Sequence, residues 1–260
     1  MGKINRRLME TNTAINFNSN IPYYIQLVKL LNDQISNQQW KPGEQIPGEQ
    51  ELCSLYNISR TVVRQALGEL ERSGLISRRK GKGTFVSEPK VEEGLMQNLT
   101  GFHQEMASKG VNTVTKVLHH AVTKANSKVA GYLGIPEGTR VIDIQRLRFV
   151  DSKLNHFVTT YIPFDLCPKL AEANLENRSL YEFLEKECGI YITSGRRYVE
   201  AVAATETEAL LLGVDRGAPL LLLDSVSFDS NGRCVEYYHA LHRGDCSRFM
   251  VELVRSHDQA

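Results

Sequence analysis

Arg146 and Arg148 stand two apart in the run IDIQRLRF. In an extended strand, side chains at i and i+2 leave the same face about 7 Å apart. Two guanidinium forks at that spacing suit one anionic ligand, because each presents paired N–H donors to a carboxylate or phosphate. The same spacing also arises on a solvent-facing strand that binds nothing. A second cationic set lies in ISRTVVRQALGELERSGLISRRKGKGTFV, residues 58–86. There Arg60, Thr61 and Arg64 open a helical run, and Arg78, Arg79, Lys80 and Lys82 follow among glycines. An arginine near the start of a helix in the DNA major groove can bond guanine through two N–H groups, and a threonine can touch a base edge or a phosphate. One set therefore suggests nucleic acid and the other a small anion.

The elements that must carry the set at residues 58–86 are legible in the hydrophobic spacing. Ile25, Val28, Leu31 and Ile35 recur at three- and four-residue steps, which predicts a helix ending near Gln38. WKPGEQIPGEQ is a turn, rich in Pro and Gly. Glu49 to Tyr56 is a short helix expected to point Leu52 and Leu55 inward. Ser59 is an N-cap for the next helix, Arg60 to Arg72, whose Val63, Ala66, Leu67 and Leu70 share one side. Arg60, Thr61 and Arg64 lie on another side of it. Leu75 to Ser77 and Thr84 to Val86 read as two strands joined by RRKGKG. Two helices with a tight turn, then a basic hairpin, make a helix-turn-helix with a wing. The helix would read bases, while the hairpin, with Lys80, Gly81 and Lys82 at its tip, would grip backbone or minor groove.

The pair Arg146 and Arg148 sits in a repeat. LGIPEGTRVIDIQRLRFVDSKLN begins at Leu133 and LGVDRGAPLLLLDSVSFDSNGRC at Leu212, 79 residues later. Each copy follows a short helix and gives a turn, a strand, a hairpin turn and a second strand. This predicts a pseudo-twofold α+β unit of antiparallel strands with helices on one face. Arg146 and Arg148 are replaced by Ser225 and Ser227 in the second copy. The strand therefore does not need arginine in order to form.

Bulk properties bound the rest. With 260 residues, the chain has room for two domains. Hydrophobic residues at 42% and charged residues at 23% describe a folded, water-soluble chain. No apolar run approaches the ~20 residues of a membrane span. The polar amino terminus carries no apolar signal core, so a cytoplasmic location with a floppy arm over residues 1–20 is expected. Lys+Arg outnumber Asp+Glu by 13 to 8 in residues 1–90 and are outnumbered 18 to 22 thereafter. A basic front and an acidic rear suit two domains with different partners. The five cysteines are odd in number and widely spaced, which favours buried free thiols over a disulfide framework or a metal site. His119-His120 reads as a strand-end pair, not a metal site. SLYE at Ser179 and TETE at Thr205 are capping boxes. Glu200, Glu236 and Asp245 come with no nucleophile–base set.

The stretch from PGEQIPGEQ through RRKGKGTFV resembles the winged-helix domain of GntR-family bacterial transcription regulators over residues 21–87. The resemblance implies that Gln50, Arg60, Thr61, Arg64, Lys80 and Gly81 contact DNA. Many members carry Arg where this chain has Gln50. Residues 95–254 are similar to the effector domain of the HutC subfamily, a chorismate-lyase-like fold, through LTGFHQEM, IQRLRF, TTYIP, SLYEFLEKECGI and HRGD. That similarity implies an anion held by Arg146 and Arg148, with further contacts from Thr100-Gly101, Ser179 and the position of His242. Members often have Ser at Gly101, Tyr at His242, and Glu where Val158 or Thr159 stands.

The expectation is thus an α+β protein. A winged helix-turn-helix over 21–87 is followed by a linker at 88–94, an effector-binding domain over 95–254 and a tail at 255–260. It would be a homodimeric repressor that binds a palindromic operator and answers to an anionic metabolite, with no cofactor, metal or membrane partner. The alternatives are a lyase-like enzyme with an accessory DNA-binding domain, and an architectural DNA binder with an inert rear domain.

Overall fold

A computed structural model of the chain describes residues 14–79, 81–94, 101–251 and 253. The chain divides into two units, Met1–Pro89 and Lys90–Ala260.

In the first unit, helices α1 (Tyr23–Ser36), α2 (Glu49–Tyr56) and α3 (Arg60–Arg72) are followed by a hairpin of β1 (Ile76–Arg79) and β2 (Gly83–Val86). One core unites them. Leu27, Leu31, Ile46, Leu52, Val63, Ala66, Leu67, Leu70, Ile76 and Val86 are buried together. The α3 face matches the sequence reading residue for residue. Two other faces are rotated from it. Ile25 is 43% exposed and Leu55 55% exposed. The core positions of α1 are Leu27, Leu31 and Gln34, with Val28 and Ile35 at the margin. Gln34 is buried because its side-chain oxygen accepts the Tyr56 hydroxyl at 3.3 Å. A polar residue thus holds a core position that an apolar count passes over. Residues 14–20, read as part of a loose arm, are anchored. Ile15 is buried in this core, and the Gln26 side chain bonds both the N–H and the carbonyl of Asn16.

The second unit centres on a six-stranded antiparallel sheet of order β4-β5-β6-β9-β8-β7. Its strands are β4 (Thr113–Lys124), β5 (Arg140–Val150), β6 (Lys153–Pro163), β7 (Ile192–Ala203), β8 (Pro219–Asp229) and β9 (Cys234–Arg243). The repeat is wider than its sequence signature. β4, α5 (Ser127–Leu133) and β5 recur 79 residues on as β7, α7 (Glu206–Leu212) and β8. The β5–β6 turn places Asp151 and Ser152 at φ 46° and 66°, the doubly positive geometry of a tight hairpin.

Helices pack on both faces of this sheet, not on one. α5 joins Val141, Val226 and Tyr237, and α7 joins Leu220 and Leu241. Helix α6 (Leu180–Cys188) joins Ile142, Ile144 and Ile162, the alternate positions of the same strands. α4 (Phe102–Ser108) lies on the α6 side, with its Phe102 ring against Arg148. A strand buried on both sides reads as a continuous apolar run, so the second helical layer left no signature in the alternation.

Three further readings are corrected. Residues 91–93, assigned to a linker, form β3 (Val91–Glu93), which pairs in parallel with β10 (Ser247–Phe249) inside the second unit. Cys167 and Cys188, read as free thiols, form a disulfide with Cα atoms 5.7 Å apart. They lie 21 residues apart in sequence, and the fold returns the end of α6 to a short 3-10 turn after β6. His119 and His120 sit in mid-strand, beside a bulge in β4.

Candidate functional site

The first site is the outer side of α3. Ser59 caps the helix, its hydroxyl accepting the Val62 N–H at 3.4 Å. Gln50, Ser59, Arg60, Thr61 and Arg64 are all exposed, as an approach to DNA requires. The two arginines are not left free. Glu49, at the start of α2, takes Arg60 Nε at 2.9 Å and lies 3.7 Å from Arg64 Nε. Arg78 in β1 pairs with Glu71 and donates to the Arg64 carbonyl, tying the wing to the helix. At the wing tip Gly81 and Lys82 are exposed, while Lys80 lies outside the described residues. Gly83 has φ 118°, and a Cβ there would run into the Gln45 side chain, so glycine is required. Glu49 is thus a single carboxylate shared by Arg60 and Arg64, while Arg79 in the wing lies over the Phe85 ring. Sequence reading missed Glu49 because it belongs to a different helix from its partners.

The second site is a cavity on the α6 side of the sheet. Arg146 and Arg148 (β5), Gly101 and Phe102 at the start of α4, and Ser179 and Tyr181 at the start of α6 line it. Arg197 (β7), Glu236 and Tyr238 (β9) close it from the other half of the sheet. The free space is about 30 Å³, room for roughly two waters or one tetrahedral group. Arg146 is 1% exposed and Arg148 7%, and the Nε of each is buried without a partner. Burial, then Arg148 beside it, pulls Arg146 down to about 9. That still leaves its guanidinium charged at neutral pH. Arg148 is lowered by burial too, and its guanidinium lies over the Phe102 ring, 4.7 Å from the centroid.

One carboxylate, Glu236, faces two buried guanidinium groups. Glu236 is pushed up by burial and is held by the Tyr181 hydroxyl at 2.7 Å and the Ser227 hydroxyl at 3.3 Å. Tyr238, driven up to about 12 by burial, has no hydrogen-bond partner for its hydroxyl. Arg197 reaches in because Ser225 is small, and its Nε donates to Ser225 Oγ at 2.7 Å. The serines that replace arginine in the second repeat copy therefore admit an arginine from the neighbouring strand and anchor the glutamate. Buried cations with unsatisfied N–H groups, facing space for one small group, call for an anion.

The sequence-predicted effector residues are only partly brought together. Arg146, Arg148, Gly101 and Ser179 share the cavity, and Thr100 lies outside the described residues. A Cβ at Gly101 would sit 3.4 Å from Ser179 Oγ. Ser179 caps α6 by accepting the Glu182 N–H at 3.3 Å, but its box is half closed, because the Glu182 carboxylate turns to Lys186. The TETE box is complete. His242 does not line the cavity. It is fully buried behind Phe102, stacked on His156 at 4.1 Å between centroids, with Nδ1 3.2 Å from Glu93. Arg197, Tyr181 and Tyr238 escaped sequence reading because the fold, not their spacing, gathers them.

Comparison with known proteins matches both units. The family "Bacterial regulatory proteins, gntR family" matches residues 23–86, and the UTRA domain family matches residues 108–248. The chain is 35% identical to the HTH-type transcriptional repressor NagR of Bacillus subtilis, over 91% of this chain and 96% of that protein. It is 29% identical to the mannosyl-D-glycerate transport/metabolism system repressor MngR of Escherichia coli, over 88% and 95%. The crystal structure of PhnF from Mycobacterium smegmatis superposes with a TM-score of 0.62 at 27% identity, covering 88% of this chain and all of that one. Two matched modules in this order, on a helix-turn-helix and a six-stranded effector sheet, place the chain in the GntR family of transcription repressors, HutC type, and not among enzymes.

Proposed function

We propose that the protein is a cytoplasmic, dimeric repressor that binds a palindromic operator through α3 and is regulated by a small anionic metabolite held between Arg146 and Arg148. The observation that carries the effector class is the pair of buried arginines with unpartnered Nε atoms. Two buried cations facing one carboxylate, itself drawn toward protonation by burial, are under-compensated, and a carboxylate or phosphate in the cavity reduces that cost. Ser179, the amides at the start of α6, Tyr238 and Arg197 supply further donors. Arg60, Thr61 and Arg64 read bases, Gln50 and Ser59 contact the duplex beside them, and Lys80, Gly81 and Lys82 hold backbone. The effector changes operator affinity only by binding one arrangement of the protein more tightly than another.

The test is operator binding by fluorescence anisotropy, with and without candidate anions. The Arg146→Ala/Arg148→Ala double variant is expected to bind operator as the parent does and to ignore the effector. Release by the same metabolite at the same concentration would show that the clamp lies elsewhere.

A further inference from the structure

Beside the cavity, where His156 stands across the β5–β6 pair from Arg148, three ligand-type side chains meet. Glu93 (β3), His156 (β6) and His242 (β9) are each 0% exposed, and one ligand atom from each lies within 4.8 Å of the other two. Their outer atoms have no partner: Glu93 Oε2, His156 Nε2 and His242 Nε2 are all buried and unbonded. The inner atoms set the tautomers. His156 Nδ1 faces the Asn155 side-chain oxygen at 2.8 Å, and that oxygen also takes the Ser247 hydroxyl. His242 Nδ1 faces Glu93 Oε1 at 3.2 Å. With both Nδ1 atoms donating, each Nε2 carries a lone pair. A carboxylate and two imidazoles with free lone pairs then stand within reach of one another, a ligand set that suits a cation even with Arg148 across the strand pair from His156.

We propose that Glu93, His156 and His242 form a binding site for one divalent transition-metal ion of the zinc class. Two imidazoles and a carboxylate suit such an ion, with water in the fourth place. Around tetrahedral zinc, donor atoms stand roughly 3.3 Å apart, given bonds of about 2.0–2.1 Å, so ligand atoms that lie within 4.8 Å of one another draw closer on binding. Groups that would hold the ligands in place are present: Asn155 orients His156, and the Phe102 and Phe249 rings wall the imidazoles at 4.8 Å and 5.1 Å. Glu93 is four residues beyond Pro89, where the first unit ends. The ion therefore fixes the strand by which the chain enters the second unit. Phe102 lies between Arg148 and His156, so the metal site and the anion cavity share one wall. The site is separate from the effector reading and stands without it.

The test uses the full chain, stripped with a chelator and then equilibrated with Co²⁺ or Zn²⁺ alone. The expected result is one ion retained per chain through dialysis, the visible absorption of nitrogen-bound tetrahedral Co²⁺, and a melting temperature raised by several degrees. Glu93→Gln and His242→Gln, checked for fold by circular dichroism, are expected to lose the ion, the absorption and the shift. Should either variant fail to fold, anomalous scattering from a zinc-soaked crystal of the parent decides: a peak between Glu93, His156 and His242 supports the site. No retention by the parent, equal retention by folded variants, or a peak only at surface histidines overturns it.

Discussion

Replacing Arg146 with methionine separates the charge of the clamp from its packing. Arg146 is buried beside Arg148 with its Nε unpartnered, and its nearest counter-charge, Glu236, is drawn toward protonation by its own burial. Exchanging a buried, poorly compensated charge for an apolar side chain of similar volume is worth about 1–3 kcal/mol in favour of the folded state. In a unit of this size, each kcal/mol raises the melting temperature by roughly 2–4 °C. The same change removes two charge-assisted hydrogen bonds to a bound anion, about 1.5–3 kcal/mol each, or roughly two to four orders of magnitude in affinity. Differential scanning calorimetry in the presence and absence of inorganic phosphate reads both. The variant is expected to melt above the parent without phosphate and to gain nothing when phosphate is added. A variant that melts several degrees lower, as after an ordinary core truncation, would show that Arg146 is already satisfied. An unchanged phosphate shift would show that it does not hold the anion.

Arg60→Ala or Arg64→Ala is expected to weaken operator binding by about 1–3 kcal/mol, read by footprinting at fixed salt; unchanged affinity in both refutes the assignment of α3. Glu49→Gln removes the acid held against both arginines, so affinity for non-operator DNA rises and the salt slope steepens by about one. Glu236 has its folded-state pKa raised by burial, so the stability it confers is full below its unfolded pKa and fades as pH rises through the folded one. Glu236→Gln is expected to flatten that fall in melting temperature and to raise anion affinity at neutral pH; an unaltered pH profile contradicts this. Reducing Cys167–Cys188, or replacing both by Ala, is expected to cost about 3 kcal/mol from the loop it closes, seen as a lower melting point with dithiothreitol.

The α3 face was fully legible because a single-sided helix writes its burial into the spacing of Val63, Ala66, Leu67 and Leu70. Leu55 and Ile25 misled because single apolar side chains also stand on the exposed side of a helix, and their spacing alone does not mark them. The repeat announced the sheet, and Arg146 and Arg148 pointed to the cavity, since the second copy forms the same strand with Ser225 and Ser227 in their places. What stayed hidden was tertiary. Arg197 enters only because Ser225 faces it across a strand pair, and Cys167 meets Cys188 only after α6 folds back. His242 was assigned by position within a motif, and the strand that brings Glu93 against it was read as linker.

The sheet is two three-stranded meanders, β4-β5-β6 and β7-β8-β9, whose sole shared ladder is β6 against β9. Each meander pairs neighbours in sequence, so each can form early and quickly, leaving the central ladder to zip last. Arg146 and Arg148 come from one meander, and Arg197, Glu236 and Tyr238 from the other. An anion that bridges them can bind only after zipping, and so it holds the two halves together. Amide protons along His156–Tyr161 and Tyr237–His242 should then exchange more slowly in its presence, while those of the outer hairpins keep their own rates.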